Sequence, residues 1–210
     1  MRRPPLATLR ALLRDRRGVT IIEFAIVAPV MLLMLMGLGD LLYQVYAKEI
    51  LSGAIQKAGR DSGIQGGAQA TAQIDGKVLA MIDTIMITPT PSCAVTPAAG
   101  TYCSKRFSYA NFAVVGPERF TDVNANNQRD AGECYDDVNG NSQWDAEPGA
   151  TGQGGANDVT LYTFTVTYPR LFPMAGMMGW SKSQTITAQT LIKNQPYATQ
   201  PVTTVKQRCT

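Results

Sequence analysis

The stretch GVTIIEFAIVAPVMLLMLMGLGDLL, from Gly18 to Leu42, decides the fold of this chain. It is mostly apolar, with one carboxylate, Glu23, near its start, and six arginines precede it. About 20 apolar residues are enough to cross a bilayer as a helix. A carboxylate near the hydrocarbon costs roughly 2.5–3.5 kcal/mol on insertion scales. We therefore interpret the stretch as a membrane-spanning helix in which Glu23 is kept for a function.

The net charge is unevenly distributed along the 210 residues, which are enough for one domain beside a membrane helix. The chain carries +3 overall and the first 18 residues carry +5, so the remainder carries −2. The basic balance therefore does not indicate a nucleic-acid-binding surface. Arginines before the apolar stretch place the N-terminus in the cytoplasm and the bulk of the chain outside the inner membrane.

The chain has no histidine, which excludes Ser-His and Cys-His catalysis and the usual histidine-containing zinc sites. With no recognisable nucleophile either, we predict no enzyme. Four cysteines fit two disulfides in an oxidising compartment, with three possible connectivities. A short loop containing proline and glycine favours Cys93–Cys103, which leaves Cys134–Cys209. The alternative, a four-cysteine zinc site, lacks any C-x2-C pair.

The periodicity predicts one long helix from Val19 to about Ser62, membrane-spanning to about Leu42. Beyond that point an amphipathic stripe recurs at helical spacing, and its members are Tyr43, Tyr46, Ile50, Ala54 and Ala58. Pro29 is expected to kink or locally melt the helix. Gly63, Gly66 and Gly67 should end it. Residues 1–18 then read as a leader, 19–62 as the helix and 63–210 as a separate domain.

The 63–210 domain should combine a second helix with a small antiparallel sheet, giving an α+β fold. The helix is predicted over residues 70–85. Three strands are predicted over residues 106–115, 159–168 and 184–193, where β-branched and aromatic residues are dense. The link from Pro169 to Trp180 reads as a partly buried loop, and the alternative is an exposed patch facing a membrane or another subunit.

An acidic insertion over residues 118–158 carries the spacing of a calcium loop. In its first twelve-residue frame, oxygen ligands fall at positions 1, 3, 5, 7, 9 and 12, which are Asp122, Asn124, Asn126, Gln128, Asp130 and Glu133. Asn127 stands where a helix-flanked calcium loop has glycine, and asparagine also tolerates a left-handed conformation. The alternative is a solvated acidic loop without metal.

A second frame begins at Asp137 and continues with Asn139, Asn141 and Asp145 at positions 3, 5 and 9. Its position 12 is Pro148, so Glu147 or Asp136 would have to complete the site, with Gly140 providing the turn. Convincing flanking helices are lacking, so the frames resemble the DxNxN-type calcium loops of extracellular proteins. Calcium is therefore expected as a structural ion, with Cys134 anchoring the loop.

The N-terminal stretch resembles a prepilin processing site. In type IV prepilins a peptidase cuts after a glycine, and glutamate is the fifth residue of the mature chain; Gly18, Val19 and Glu23 match this pattern. Phe24 follows the glutamate, and G-x4-E-[F/Y] is the form in pilins of the tight-adherence (Tad) system. With Pro29 in the apolar run, the stretch looks like the TadE-like minor pilins of that system. The ending QTITAQTLIKNQPY resembles their last strand loosely.

This resemblance implies an inner-membrane minor pilin (pseudopilin), cut between Gly18 and Val19, that acts in pilus assembly and surface adhesion. Its partners would be the prepilin peptidase, other pilins and the pilus assembly platform. A different class of protein stays open, namely a membrane-anchored periplasmic calcium-binding module that never enters a filament. An ordinary signal anchor with a stray glutamate is the plainer alternative for the stretch itself.

Overall fold

A computed structural model of the chain describes residues 19–64, 70–85, 89–172, 174–196 and 205–209. The predicted leader, Gly66 and Gly67 lie outside these residues. The chain divides into two compact units. The first comprises residues up to Tyr43 together with Arg170–Lys182, and the second comprises Gln44–Pro169 together with Ser183–Thr210.

Helix α1 runs from Val19 to Ser62 and continues through Pro29 without interruption, so the predicted local melting at Pro29 is not observed. Within the first unit its apolar side chains are exposed on nearly every side, and the most exposed include Ile21, Phe24, Ile26 and Met34. Among the described residues, α1 is the one helix long and apolar enough to cross a membrane. This exposure is what a helix surrounded by an apolar medium requires.

Within the second unit α1 buries one side. Its buried residues are Ala47, Leu51, Ala54, Ile55, Ala58, Gly59 and Ser62. The predicted stripe is thus correct at Ala54 and Ala58 but wrong at Tyr46, which is exposed. Alanine and glycine allow close approach here: a Cβ added to Gly59 would lie 3.1 Å from Thr190 Cγ2 and 3.2 Å from Ile192 Cγ1. The helix therefore lies directly on the last long strand.

In the described part of the second unit, seven strands follow, together with helix α2 (Thr71–Met81). In chain order the strands are β1 (Thr90–Pro91), β2 (Thr101–Tyr109), β3 (Cys134–Asp137), β4 (Ala150–Thr151), β5 (Val159–Pro169), β6 (Ser183–Lys193) and β7 (Lys206–Cys209). A main sheet has the order β1-β2-β5-β6, with β4 also pairing with β2. The pair β3-β7 forms a separate antiparallel ribbon. The fold is α+β, as predicted.

The antiparallel register of β2, β5 and β6 sorts their side chains onto two faces. One face is buried and carries Tyr162, Phe164, Val166 and Ile186. The opposite face carries a row of threonines, in which Thr165 and Thr187 hydroxyls lie 3.0 Å apart. Alternation of threonine with aromatic and β-branched residues is therefore what builds this sheet.

A polar cluster joins α2 to the buried face of the sheet. Arg106 and Asp75 form a bidentate ion pair, with Nη2–Oδ1 and Nη1–Oδ2 distances of 2.5 and 3.2 Å. The Tyr162 hydroxyl donates to Asp75 at 2.6 Å, and the Arg106 guanidinium lies 4.1 Å from the centre of the Tyr162 ring. Burial raises the pKa of Tyr162, and the neighbouring Asp75 carboxylate raises it further. The phenol is therefore held neutral.

Several boundaries differ from the predictions. The second helix ends at Met81 rather than near Ile85, although Ile74, Val78, Ile82 and Ile85 are buried as their spacing indicates. The first predicted strand begins earlier, at Thr101, and ends at Tyr109, because residues 112–114 form a 3₁₀ turn capped by the Asn111 side chain. The short strands, including both strands of the ribbon, were not predicted because they lack any apolar alternation.

Substituting Gly59 by leucine is expected to lower the free energy of unfolding of the full-length protein in detergent by about 1–3 kcal/mol, because the side chain would overpack the contact between α1 and β6. The matched control is Gly53→Leu on the same helix, where an added Cβ meets no atom within 4 Å. This control should gain up to about 1 kcal/mol of helix propensity. Equal stability of the two variants in denaturant unfolding would contradict the helix–sheet contact.

Candidate functional sites

The first candidate site is the start of α1. Val19 begins the described helix, and Gly18 lies just outside the described residues. Glu23 and Phe24 are exposed on the first turns, and none of the ion pairs among the described residues involves Glu23. Between Glu23 and Asp40 the helix has no other charged residue. One carboxylate, which forms no ion pair with the other described residues, therefore stands at one end of an otherwise uncharged apolar surface.

The second candidate site contains the two predicted calcium frames, which we call loop A (residues 122–133) and loop B (residues 137–145). In loop A, Asp122 accepts hydrogen bonds from the backbone amides of Asn126 and Asn127 at 3.2 and 2.7 Å. The side-chain amides of Asn124 and Asn126 both donate to Asp130 Oδ2, at 2.7 and 2.8 Å. Position 9 is thus the centre on which the loop converges.

Loop B repeats this arrangement. Asp137 accepts from the amides of Gly140 and Ser142 at 2.7 and 3.1 Å. The side-chain amides of Asn139 and Asn141 donate to Asp145 Oδ2 at 2.7 and 2.6 Å. The two segments DVNANNQRD and DVNGNSQWD are identical at six of their nine positions, which makes them an internal repeat. This repeat is the sequence signal that relates the two loops.

The backbone of the two loops also matches. Positions 4 and 6 have positive φ in both, with values of 59° and 60° at Ala125 and Asn127 and of 77° and 66° at Gly140 and Ser142. Asn127 therefore adopts the left-handed conformation considered for it. Alanine and serine rarely adopt that conformation without cost. The side-chain hydrogen bonds must supply the compensating free energy.

A buried glutamate closes each loop. In loop A, Glu133 accepts from the amides of Val123 and Asp130 at 2.8 and 3.0 Å. In loop B the equivalent amides, of Val138 and Asp145, donate to Glu118 at 2.8 and 3.0 Å. Both glutamates are buried. Each one therefore ties position 2 of its loop to position 9.

Glu118 thus takes the place for which the sequence suggested Glu147 or Asp136. Glu147 instead accepts a hydrogen bond from the Tyr109 hydroxyl, and Asp136 lies in β3. Burial and the adjacent Glu147 carboxylate raise the pKa of Tyr109. Sequence reasoning missed Glu118 because it precedes loop B by 19 residues, whereas the glutamate of loop A is the last residue of its frame. Spacing within one frame gives no signal for such a residue.

The ribbon β3-β7 fixes the loops to the C-terminal part of the chain. The structure contains both expected disulfides, Cys93–Cys103 and Cys134–Cys209, with Cα atoms 4.8 and 3.9 Å apart. The second disulfide lies in the ribbon, where Arg208 also donates to Asp137 at 2.5 Å. Burial alone would raise the pKa of Asp137, but the hydrogen bonds from Arg208, Gly140 and Ser142 outweigh it and lower the pKa. The first residue of loop B is therefore held ionised.

The donor set of both loops consists of oxygen and amide groups, which suits a hard cation. In the conformation described, the side-chain N–H groups of Asn124 and Asn126 donate hydrogen bonds to the Asp130 carboxylate, so these amides take the place that a cation would have there. Among the described residues, no group of three or more His, Cys, Asp or Glu side chains could hold a metal ion. Any ion in these loops would therefore depend on asparagine and backbone oxygens.

Comparison with known proteins bears on α1 alone. Residues 18–60 match the model of the family described as TadE-like protein. The matched segment is about a fifth of the chain and coincides with the membrane-type part of α1 and most of its buried part. The match therefore says what the N-terminal helix is similar to. No curated protein and no solved structure is a match to the chain.

Removal of the Glu118 carboxylate should open loop B. Glu118→Ala leaves the buried amides of Val138 and Asp145 without their acceptor, which is expected to cost about 1–3 kcal/mol of unfolding free energy and to speed hydrogen exchange at both amides. Glu147→Ala is the matched control, because Glu147 is exposed and bonds only to Tyr109. Unchanged exchange at Val138 and Asp145 in Glu118→Ala would show that Glu118 does not close the loop.

Proposed function

We propose that this protein is a TadE-like minor pilin of a Tad-type pilus, inserted in the inner membrane through α1 and processed between Gly18 and Val19. The observation that supports this most is the uncovered apolar surface of α1, whose sequence is also the matched segment. An exposed apolar helix of this length needs either lipid or other apolar helices around it. A helix that moves from lipid into a bundle of pilin helices exchanges one apolar environment for another.

Processing would supply a partner for Glu23. Hydrolysis of the Gly18–Val19 bond adds one water and leaves a carboxylate on Gly18 and an α-amine on Val19. Val19 and Glu23 are four residues apart, which places them on the same face of a helix. The new ammonium group would pair with Glu23 of its own chain or of a neighbouring subunit. Such a pair fixes axial register, because a slip leaves both charges unpaired in apolar surroundings.

The proposed topology follows from charge and redox chemistry. Six arginines before α1 favour an N-terminus in the cytoplasm. The leader would remain on that side of the membrane after cleavage. Two disulfides require an oxidising compartment, so the cysteine-bearing part of the chain would lie in the periplasm or at the cell surface. Other pilins and the assembly platform are the partners, and adhesion would be the downstream role of the assembled pilus.

A second, compatible role is that loops A and B bind calcium as a structural ion. Its support is the repeat itself: both segments have two asparagine amides on the position-9 aspartate, positive φ at positions 4 and 6, and a buried glutamate that closes the loop. Rotation of the asparagine side-chain amides would present oxygens in place of N–H groups at positions 3 and 5. With backbone oxygen at position 7 and the carboxylates, this gives the ligand types that calcium takes. A membrane-anchored calcium module that never assembles is the alternative function.

Two variants separate processing from assembly. Gly18→Val should retain the leader, because the peptidase requires a small residue before the cut, and intact mass with N-terminal sequencing of membrane extracts would find Met1. Glu23→Ala should be cut at Val19 and inserted, yet lost from sheared pili. The expected cause is the ammonium group of Val19, which would be left without its partner. Removing one partner of a buried ion pair costs about 3–5 kcal/mol.

Controls for this pair come from the same helix. Gly53→Val and Glu49→Ala change a glycine and a glutamate elsewhere on α1, at exposed positions, and should leave trimming and incorporation unchanged. Trimming of Gly18→Val at the wild-type rate would overturn the cleavage site. Incorporation of Glu23→Ala at the wild-type level would overturn the role of the charge pair. A wild-type chain that still begins with Met1 would leave the membrane-anchored module as the function.

Calcium should raise the stability of the full-length protein. For dissociation constants of about 10⁻⁴–10⁻³ M, typical of extracellular modules, 10 mM calcium would add about 1.4–2.7 kcal/mol for each loop that binds an ion. The double variant Asp130→Asn, Asp145→Asn should lose this gain, whereas Asp61→Asn, outside the loops, should keep it. Thermal unfolding with calcium, with magnesium and with chelator measures the effect. Equal midpoints in all three conditions would reject calcium binding and leave the pilin proposal untouched.

A further inference from the structure

The loop Arg170–Lys182 belongs to the same compact unit as the apolar part of α1. Its base is closed by a hydrogen bond from the Arg170 amide to the Lys182 carbonyl at 3.0 Å and by another from Arg170 Nε to the Ser181 carbonyl at 3.0 Å. Between these ends lies a short helix, α3 (Met174–Met177). The two ends of the segment are therefore held together, and the residues farthest from them, Met177 to Trp180, form the tip of the loop.

Successive residues in the first half of this loop contact α1 at positions closer and closer to the N-terminal end of that helix. Arg170 forms an ion pair with Asp40. Phe172 packs at Gly39, where an added Cβ would lie 2.9 Å from its ring, and Met174 packs at Gly37, where the Cβ would lie 3.1 Å from its methyl carbon. The contact position on α1 thus moves from 40 to 37 as the loop advances from 170 to 174. The first half of the loop therefore contacts the apolar part of α1.

The tip exposes apolar side chains. Met177 is 75% exposed, Met178 55% and Trp180 59%, and Leu171 is 54% exposed before them. The cations Arg170 and Lys182 stand at the two ends of the loop. A tryptophan and flexible apolar side chains between two cationic ends is the composition found at the boundary between headgroups and acyl chains.

The position of the loop along α1 coincides with that boundary. Gly37 and Asp40 lie about 27 and 32 Å along the helix axis from Val19. The hydrocarbon core of a bilayer is about 30 Å thick. Asp40 is also the first charged residue after Glu23. A bilayer that holds α1 from its first turn therefore has its second surface at the level where the loop packs.

We infer that the Arg170–Lys182 loop is a second membrane-binding element, which inserts Met177, Met178 and Trp180 into the outer headgroup and acyl-chain boundary of the membrane that holds α1. This inference rests on the proposed insertion of α1. Exposed tryptophan and methionine side chains between two cationic residues are suited to that boundary. Continuity with the exposed surface of α1 makes lipid the occupant.

The chain offers an internal probe, because it has two tryptophans and α1 has none. Trp144 lies in loop B, where its indole donates to the Glu118 carbonyl at 2.8 Å. The full-length protein would be reconstituted into vesicles of phosphatidylethanolamine and phosphatidylglycerol. Lipids carrying bromine high in the acyl chain, or near the bilayer centre, would then quench tryptophans at matching depth.

The wild type and Trp180→Phe are compared in these vesicles, so that their difference reports Trp180 without altering loop B. We expect strong loss of the Trp180 emission with shallow bromine, weaker loss with deep bromine, and a blue-shifted maximum for Trp180 relative to Trp144. Trp144→Phe, which isolates Trp180, should show the same loss directly. Flotation of every sample with the vesicles checks insertion of α1.

The outcomes separate this inference from the function proposed above. Flotation with Trp180 unquenched would overturn lipid binding by the loop and leave the membrane anchor and the pilin role intact. Quenching of Trp180 by another labelled copy of the chain, but not by bromolipid, would assign the loop to a contact between subunits and equally overturn the inference. Failure to float would overturn the insertion of α1 and, with it, the inference.

Discussion

The apolar surface of α1 is the constraint on which the rest of this structure depends. From Ile21 to Leu42 the helix exposes apolar side chains on nearly every side, whereas from Ala47 onward it buries a single side. A helix satisfies its own backbone hydrogen bonds, so it can run from an apolar medium into a folded domain without an unpaired group. The change in surface character falls where the two compact units divide, between Tyr43 and Gln44. One element thus serves two environments.

Two contacts in the second unit differ in what they contribute to the fold. One is the close contact of α1 with β6, and the other is the polar cluster of Asp75, Arg106 and Tyr162. The first is an apolar contact made close by Gly59 and by the alanines of α1. The second contributes little net free energy, because burying charge offsets most of the attraction. It contributes specificity instead, since α2 in any other register would leave Arg106 buried without its carboxylate. The cation over the Tyr162 ring strengthens that selection.

The sequence predicted those features whose cause is local. The long helix follows from apolar length, the strand at Val159 from alternating threonine and aromatic residues, and the disulfide Cys93–Cys103 from a short loop. Features that depend on distant parts of the chain were missed. The buried side of α1 is decided by where β6 lies, so Tyr46 is exposed and Leu51 is buried. The ribbon pairs residues 134–137 with residues 206–209, and Glu118 reaches loop B from outside its frame.

The asparagines at positions 3 and 5 of both loops explain how the acidic insertion is folded in the conformation described. Aspartates there would gather three carboxylates around one point, and without a cation they would repel one another. Asparagine can instead donate N–H groups to the central carboxylate, as Asn124 and Asn126 do to Asp130. The same side chain can turn its oxygen toward an ion. In the calcium role proposed above, this choice would lower the ligand charge and weaken the site, which suits compartments where calcium is abundant.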